Sequence, residues 1–197
     1  MKKHIKIILF IILSLAQLAF PAQMIMSREN VLNKGQVFKF RIKPIDPVDN
    51  FRGNYLSIYF SDNRVPVSSN DNYSLNQTVY ATVENDIDGF AKFTGVSSQI
   101  PEHRNYIKTK ILYFDYETRA GEESKTTKLV PRAVYIKIPF ERYYMAENKA
   151  KPAEEAYNKS LSERKEVYIT VKIHNGDTVV ENLYIDGEKI EDYLRHD

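Results

Sequence analysis

Ile7 to Met26 read IILFIILSLAQLAFPAQMIM, and only Ser14, Gln17, Pro21 and Gln23 interrupt the apolar run. At about 1.5 Å per residue, such a stretch crosses a hydrocarbon core of roughly 30 Å as a single helix. No polar stripe recurs at helical spacing, so it does not read as a buried helix of a soluble protein. Lys2, Lys3 and Lys6 precede it without any acid before Glu29, and the positive-inside preference keeps such a cluster in the cytoplasm. The competing reading is a cleaved signal peptide with an apolar core of Ile7 to Leu13 and a small-x-small site at Ser14-Leu15-Ala16. Bulky Phe20, third back from a cut after Ala22, and the apolar continuation through Met24-Ile25-Met26 favour an uncleaved anchor. Either way the residues beyond about Ser27 are expected on the outer side of the cell membrane, anchored there or, after cleavage, secreted or periplasmic. The chain thus divides into an anchor or signal segment at 1–26 and an extracytoplasmic domain at 27–197.

With 43% hydrophobic and 27% charged residues, the remainder suits one folded domain. The chain has no cysteine, which removes disulfides, thiolate zinc sites, iron–sulfur clusters and cysteine nucleophiles together. Its four histidines, His4, His103, His174 and His196, stand apart with no HExxH or HxH pairing; no cofactor is expected. The formal charge of +2 owes three lysines to the apolar segment's flank. The rest is near neutral and lacks a Lys/Arg block, so nucleic acid is not an expected partner.

From Gly35 onward the dominant period is two. Phe38, Phe40 and Ile42 alternate with Lys39, Arg41 and Lys43, and Leu56, Ile58 and Phe60 with Tyr55, Ser57 and Tyr59; both patterns predict half-buried strands. Further β-branched and aromatic runs at 78–83, 107–116, 134–140, 167–173 and 179–185 predict five more. The last two flank His174-Asn175-Gly176-Asp177, and Asn-Gly readily supplies the two positive φ angles of a tight hairpin. One helix is expected over about 152–164, with Pro152 at its first position and Glu154 and Glu155 complementing its dipole. Residues 61–76 and 119–128 read as exposed loops. The expected fold is mainly β (α+β): a transmembrane helix followed by a β-rich, sandwich- or barrel-like domain with one short helix.

The segment from Lys43 to Phe60, KPIDPVDNFRGNYLSIYF, resembles the signature of the GDYXXLXY family, a Pro-x-Asp-Pro turn followed by Arg-Gly-Asp-Tyr-x-x-Leu-x-Tyr. Pro44, Asp46, Pro47, Arg52, Gly53 and Tyr55 match, while Asn54, Ile58 and Phe60 replace Asp, Leu and Tyr. Tyr143-Tyr144-Met-Ala-Glu147-Asn148 is similar to the family's aromatic pair running into Glu-Gly ahead of a helix, and Leu183 to Gly187 to its ending. The resemblance implies a small protein with one amino-terminal anchor, accessory to a multi-spanning membrane protein, whose activity is not established. It also implies that a proton-transfer or metal role for the motif carboxylate is lost with Asn54, whereas a turn or hydrogen-bonding role survives.

Structurally, Asp46, Pro47 and Gly53 read as a turn entering a strand. Functionally, Arg52, beside Tyr55 and Glu147, would offer a polar surface to a protein or small anion, with Tyr144 a further motif residue and interaction candidate. Glu84-Asn-Asp86-Ile-Asp88-Gly89 imitates part of a calcium loop, but its twelfth position is Gly95 where a bidentate Glu is required, so a turn is expected. No serine lies in a GxSxG setting, and carboxylate pairs are too numerous to single one out. An accessory or interaction module is therefore expected; the alternative is a stand-alone envelope hydrolase or small-ligand-binding protein using Arg52, Tyr55 and Glu147.

Overall fold

The computed structural model describes residues 2–43, 55–60, 62–68, 72–121 and 124–196. It opens with one long helix, α1 (Lys2–Lys34), which runs through Pro21 without a break. Its apolar part has a mean hydropathy of 2.2 and is not buried against the rest of the chain; by length and composition it could cross a membrane. The last two turns behave differently. Val31 is buried, Arg28 donates a 2.7 Å bond to the carbonyl of Thr178, and Lys172 reaches the carbonyl of Leu32 at 2.7 Å. That lysine satisfies one of the carbonyls a helix leaves orphaned at its end, with the sign of charge the dipole favours there. The helix stops at Gly35, whose N–H bonds Val31 O at 2.8 Å, and the next residue already begins a strand.

Twelve strands and two further helices follow among the described residues. In chain order they are β1 (Gln36–Lys43), β2 (Tyr55–Ser57), β3 (Tyr59–Phe60), β4 (Arg64–Pro66), β5 (Thr78–Asn85), β6 (Ala91–Ser97), β7 (Tyr106–Gly121), β8 (Ser124–Ile136), β9 (Arg142–Tyr144), α2 (Glu147–Ser162), β10 (Val167–His174), β11 (Asp177–Ile185), β12 (Glu188–Lys189) and α3 (Ile190–His196). They form a five-stranded sheet in the order β12-β11-β10-β1-β3, a second in the order β4-β8-β7-β5-β6, and a two-stranded ladder of β2 and β9. The fold is mostly β, as the period-two runs predict.

The alternation in β1 buries Phe38, Phe40 and Ile42. Phe40 sits among Phe60, Phe93 and Phe140, with ring centroids 6.2, 5.7 and 5.0 Å away. Since Phe60 lies on β3 and Phe93 on β6, this cluster joins the two large sheets into one core. Phe40, Phe93 and Phe140 are buried, and each such ring contributes roughly 1.5–3 kcal/mol by burial alone. The β10–β11 hairpin turns as Asn-Gly predicts, with φ of 50° at Asn175 and 85° at Gly176. The Gly176 carbonyl then accepts a 3.0 Å bond from Lys108 N, a second tie between the sheets.

Several expectations are corrected. The run from Leu56 to Phe60 is two strands in different sheets: at Ile58 the chain leaves β2, bonds the Glu141 carbonyl through its N–H at 2.9 Å, and enters β3. Of the polar segment 119–128, residues 119–121 lengthen β7 and 124–128 lengthen β8, where cross-strand bonding compensates for weak hydrophobic patterning. Within 61–76, β4 pairs with β8 and buries Val65 completely. The helix α2 begins at Glu147, five residues ahead of Pro152, which lies inside it. Ala153, Ala156, Tyr157 and Ser160 face the core at helical spacing, and this stripe, more than the proline, determines its packing. The strands β6, β9 and β12 and the helix α3 are too short or too polar to stand out in the sequence.

Candidate functional site

Asp46, Pro47, Arg52, Gly53 and Asn54 lie outside the described residues. The neighbouring motif strand is described: in the β2–β9 ladder Tyr55 stands opposite Tyr144, Leu56 opposite Tyr143 and Ser57 opposite Arg142. Two segments distant in sequence thus become hydrogen-bonded neighbours, and Glu147 opens α2 three residues after Tyr144. Pleating turns the two tyrosines of β9 to opposite sides: Tyr143 is buried and Tyr144 exposed. The Tyr143 hydroxyl donates to the Glu191 carboxylate on α3. Burial, reinforced by that carboxylate, pushes the Tyr143 phenol far above its ordinary range, so it remains a hydrogen-bond donor and does not act as a base near neutrality.

Beside this ladder lies an open groove of about 890 Å³, walled by the end of α1, the first half of β7, the segment leading into β9, and β11. Five cations line it: Arg28, Lys108, Lys110, Lys137 and Arg142. They face two carboxylates, Glu141 and Glu181, and Glu181 is already engaged by Lys172 at 3.2 Å. Lys108 and Lys110 alternate with Thr109 on β7, so one strand face carries both. Arg28 is fixed by its bond to Thr178 O, and the Thr109 hydroxyl is committed to the carbonyl of Lys137. Tyr143 and Tyr144 complete the wall nearest the motif ladder.

The profile of the GDYXXLXY protein family matches residues 17–183. The chain belongs to this family. The match runs from inside α1 to Leu183 in β11, and so takes in the paired β2 and β9 segments, of which β9 lines the groove, while most of the expected ending, up to Gly187, falls beyond it. No curated protein and no solved structure matches the chain. In this GDYXXLXY protein the groove itself is not evident from the sequence. Its five cations come from separate segments, and a whole-domain charge near zero conceals a local surplus. The alternation Lys108-Thr-Lys110 is the one sequence signal that could have pointed to it.

The acids of the calcium-like segment serve the β5–β6 turn. Asp86 accepts bonds from the N–H groups of Asp88 and Phe90 at 3.0 and 2.8 Å. Arg41 clamps Asp86 and Asp88 at 2.8 and 2.9 Å while lying 3.8 Å above the Phe90 ring. The Arg41 hydrogen bond, aided by the Phe90 N–H, holds the Asp86 carboxyl below its usual range. Among the described residues, no group of three or more His, Asp or Glu side chains is placed to share a metal ion.

Proposed function

We propose that this protein is a single-pass membrane protein whose β domain acts as an accessory or interaction module for a multi-spanning membrane protein, with Lys2, Lys3 and Lys6 in the cytoplasm and the domain outside. The observation that carries the reading is the division of α1: an apolar length free of the domain, continuous with two turns built into β10 and β11. A helix so joined holds its domain directly on the lipid surface, within reach of the loops of a neighbour in the same membrane. The long β7–β8 hairpin adds exposed Leu112, Tyr113, Tyr116 and Leu129, the amphipathic and apolar side chains that protein contacts favour.

The absence of cysteine makes topology directly measurable. A single cysteine at exposed Gln99 should react with a membrane-impermeant maleimide in intact cells, and the full-length chain should stay in the pellet after carbonate extraction. Affinity capture from detergent-solubilised membranes should then retain a multi-spanning protein, and Arg52→Ala should lose it without a change in unfolding temperature. Labelling only after lysis refutes the orientation, extraction by carbonate refutes the anchor, and capture of bait alone refutes the accessory role.

A further inference from the structure

We propose that the cationic groove at the root of α1 binds the phosphate of an anionic glycerophospholipid in the leaflet that the domain faces; this rests on α1 being a retained membrane anchor. The apolar run ends at Met26, and Arg28 follows two residues later, about 3 Å along the axis. Headgroups occupy roughly 5–7 Å beyond the hydrocarbon core. Arg28 therefore stands at headgroup depth while also lining the groove, so the groove opens at the level of the lipid phosphates.

Three of the groove's cations add positive charge without a paired acid. Lys108, Lys110 and Lys137 have no ion-pair partner among the described residues, and one of the two facing carboxylates is held by Lys172. Arg28 is oriented by Thr178 O through one guanidinium nitrogen, and the planar fork favours phosphate oxygens on its remaining donors. Phe140 and Val179 among the lining residues suit the glycerol and first methylenes better than a freely hydrated ion. Tyr144, exposed on the groove wall, has the amphipathic ring that settles at membrane interfaces. A recess of about 890 Å³ takes one headgroup and offers no continuous track for a polyanion, which agrees with the near-neutral domain charge.

The test uses the full-length chain in mild detergent. Native mass spectrometry follows its titration with phosphatidylglycerol and, separately, phosphatidylcholine, for wild type and for Lys108→Gln/Lys110→Gln/Lys137→Gln, with Lys110→Glu as a second variant. All three lysines are exposed, and unfolding midpoints confirm that each variant is folded. Wild type should prefer phosphatidylglycerol, and the triple variant should bind it about tenfold more weakly or worse. Equal retention of the two lipids, or phosphatidylglycerol binding unchanged in both variants, overturns the proposal. Stabilisation of the wild type by inorganic phosphate equal to that by phosphatidylglycerol reassigns the groove to a soluble anion and also overturns it, as does displacement of the lipid by an acidic peptide at equal concentration. Intact mass separates the two levels of inference. A native chain lacking residues 1–26 removes the anchor reading, whereas an intact chain without lipid preference removes only the groove assignment.

Discussion

Replacing Gly35 by alanine tests whether the helix and the sheet are joined as tightly as the geometry requires. A Cβ at this position would lie well inside contact distance of the Val31 carbonyl oxygen, 3.0 Å from Lys172 Cβ and 3.2 Å from Ile173 N. Two of these three neighbours are backbone atoms, one in the last turn of α1 and one in β10, so no side chain can rotate away to relieve them both. The same Val31 carbonyl accepts the bond that ends the helix. Forcing extra volume into a packed site costs about 1–3 kcal/mol. For a chain of this length each kcal/mol lowers the unfolding midpoint by about 2–4 °C, so a mid-range cost of about 2 kcal/mol lowers it by roughly 4–8 °C. The assay is circular-dichroism melting of the full-length chain in detergent, with Gly95→Ala as the control, since a Cβ there meets no atom within 4 Å. Trypsin should also cut faster after Arg28 and Lys34 in Gly35→Ala as the junction loosens. A Gly35→Ala protein that melts within about 1 °C of wild type and resists trypsin equally would refute the tight junction.

Two further outcomes follow from the core. Ile169 is fully buried in β10, so Ile169→Ala should cost about 2–5 kcal/mol, read as a lower urea midpoint at unchanged slope. Burial raises the phenols of both Tyr143 and Tyr157, with Glu191 adding to the first. Above the ordinary tyrosine range, near pH 10, the unfolded chain releases these protons while the folded one keeps them, so stability should fall as pH climbs toward the raised folded values. Tyrosinate absorbance from these two should appear together with loss of the folded circular-dichroism signal; ionisation without unfolding would show that they are not buried.

Most of the β framework is legible because burying one face of a strand imposes alternation, as at Phe38, Phe40 and Ile42, and because Asn175-Gly176 has few other backbone options. The break at Ile58 is not, since a residue that leaves one sheet for another stays apolar throughout and preserves the period. The start of α2 is misplaced because Pro152 imitates a first helical position, while the stripe from Ala153 to Ser160 acts only once β strands exist to receive it. The β7–β8 extension is held by backbone pairing, which leaves a polar sequence free to resemble a loop. At the candidate site, Tyr144 and Glu147 are visible as a motif, but their neighbours across the ladder and groove are set by three-dimensional closure. The motif turn from Asp46 to Asn54 lies outside the described residues.

A rod without a joint transmits angle. Because α1 passes into β1 through Gly35 alone, with Arg28 and Lys172 bracing both sides, a swivel at that junction would have to break both of these bonds. If α1 spans a bilayer about 27 Å thick, its 20-residue apolar stretch of about 30 Å exceeds that thickness, and tilting is one way to keep it covered. The domain would lean with it, so membrane thickness alone would change the direction in which the β7–β8 hairpin points.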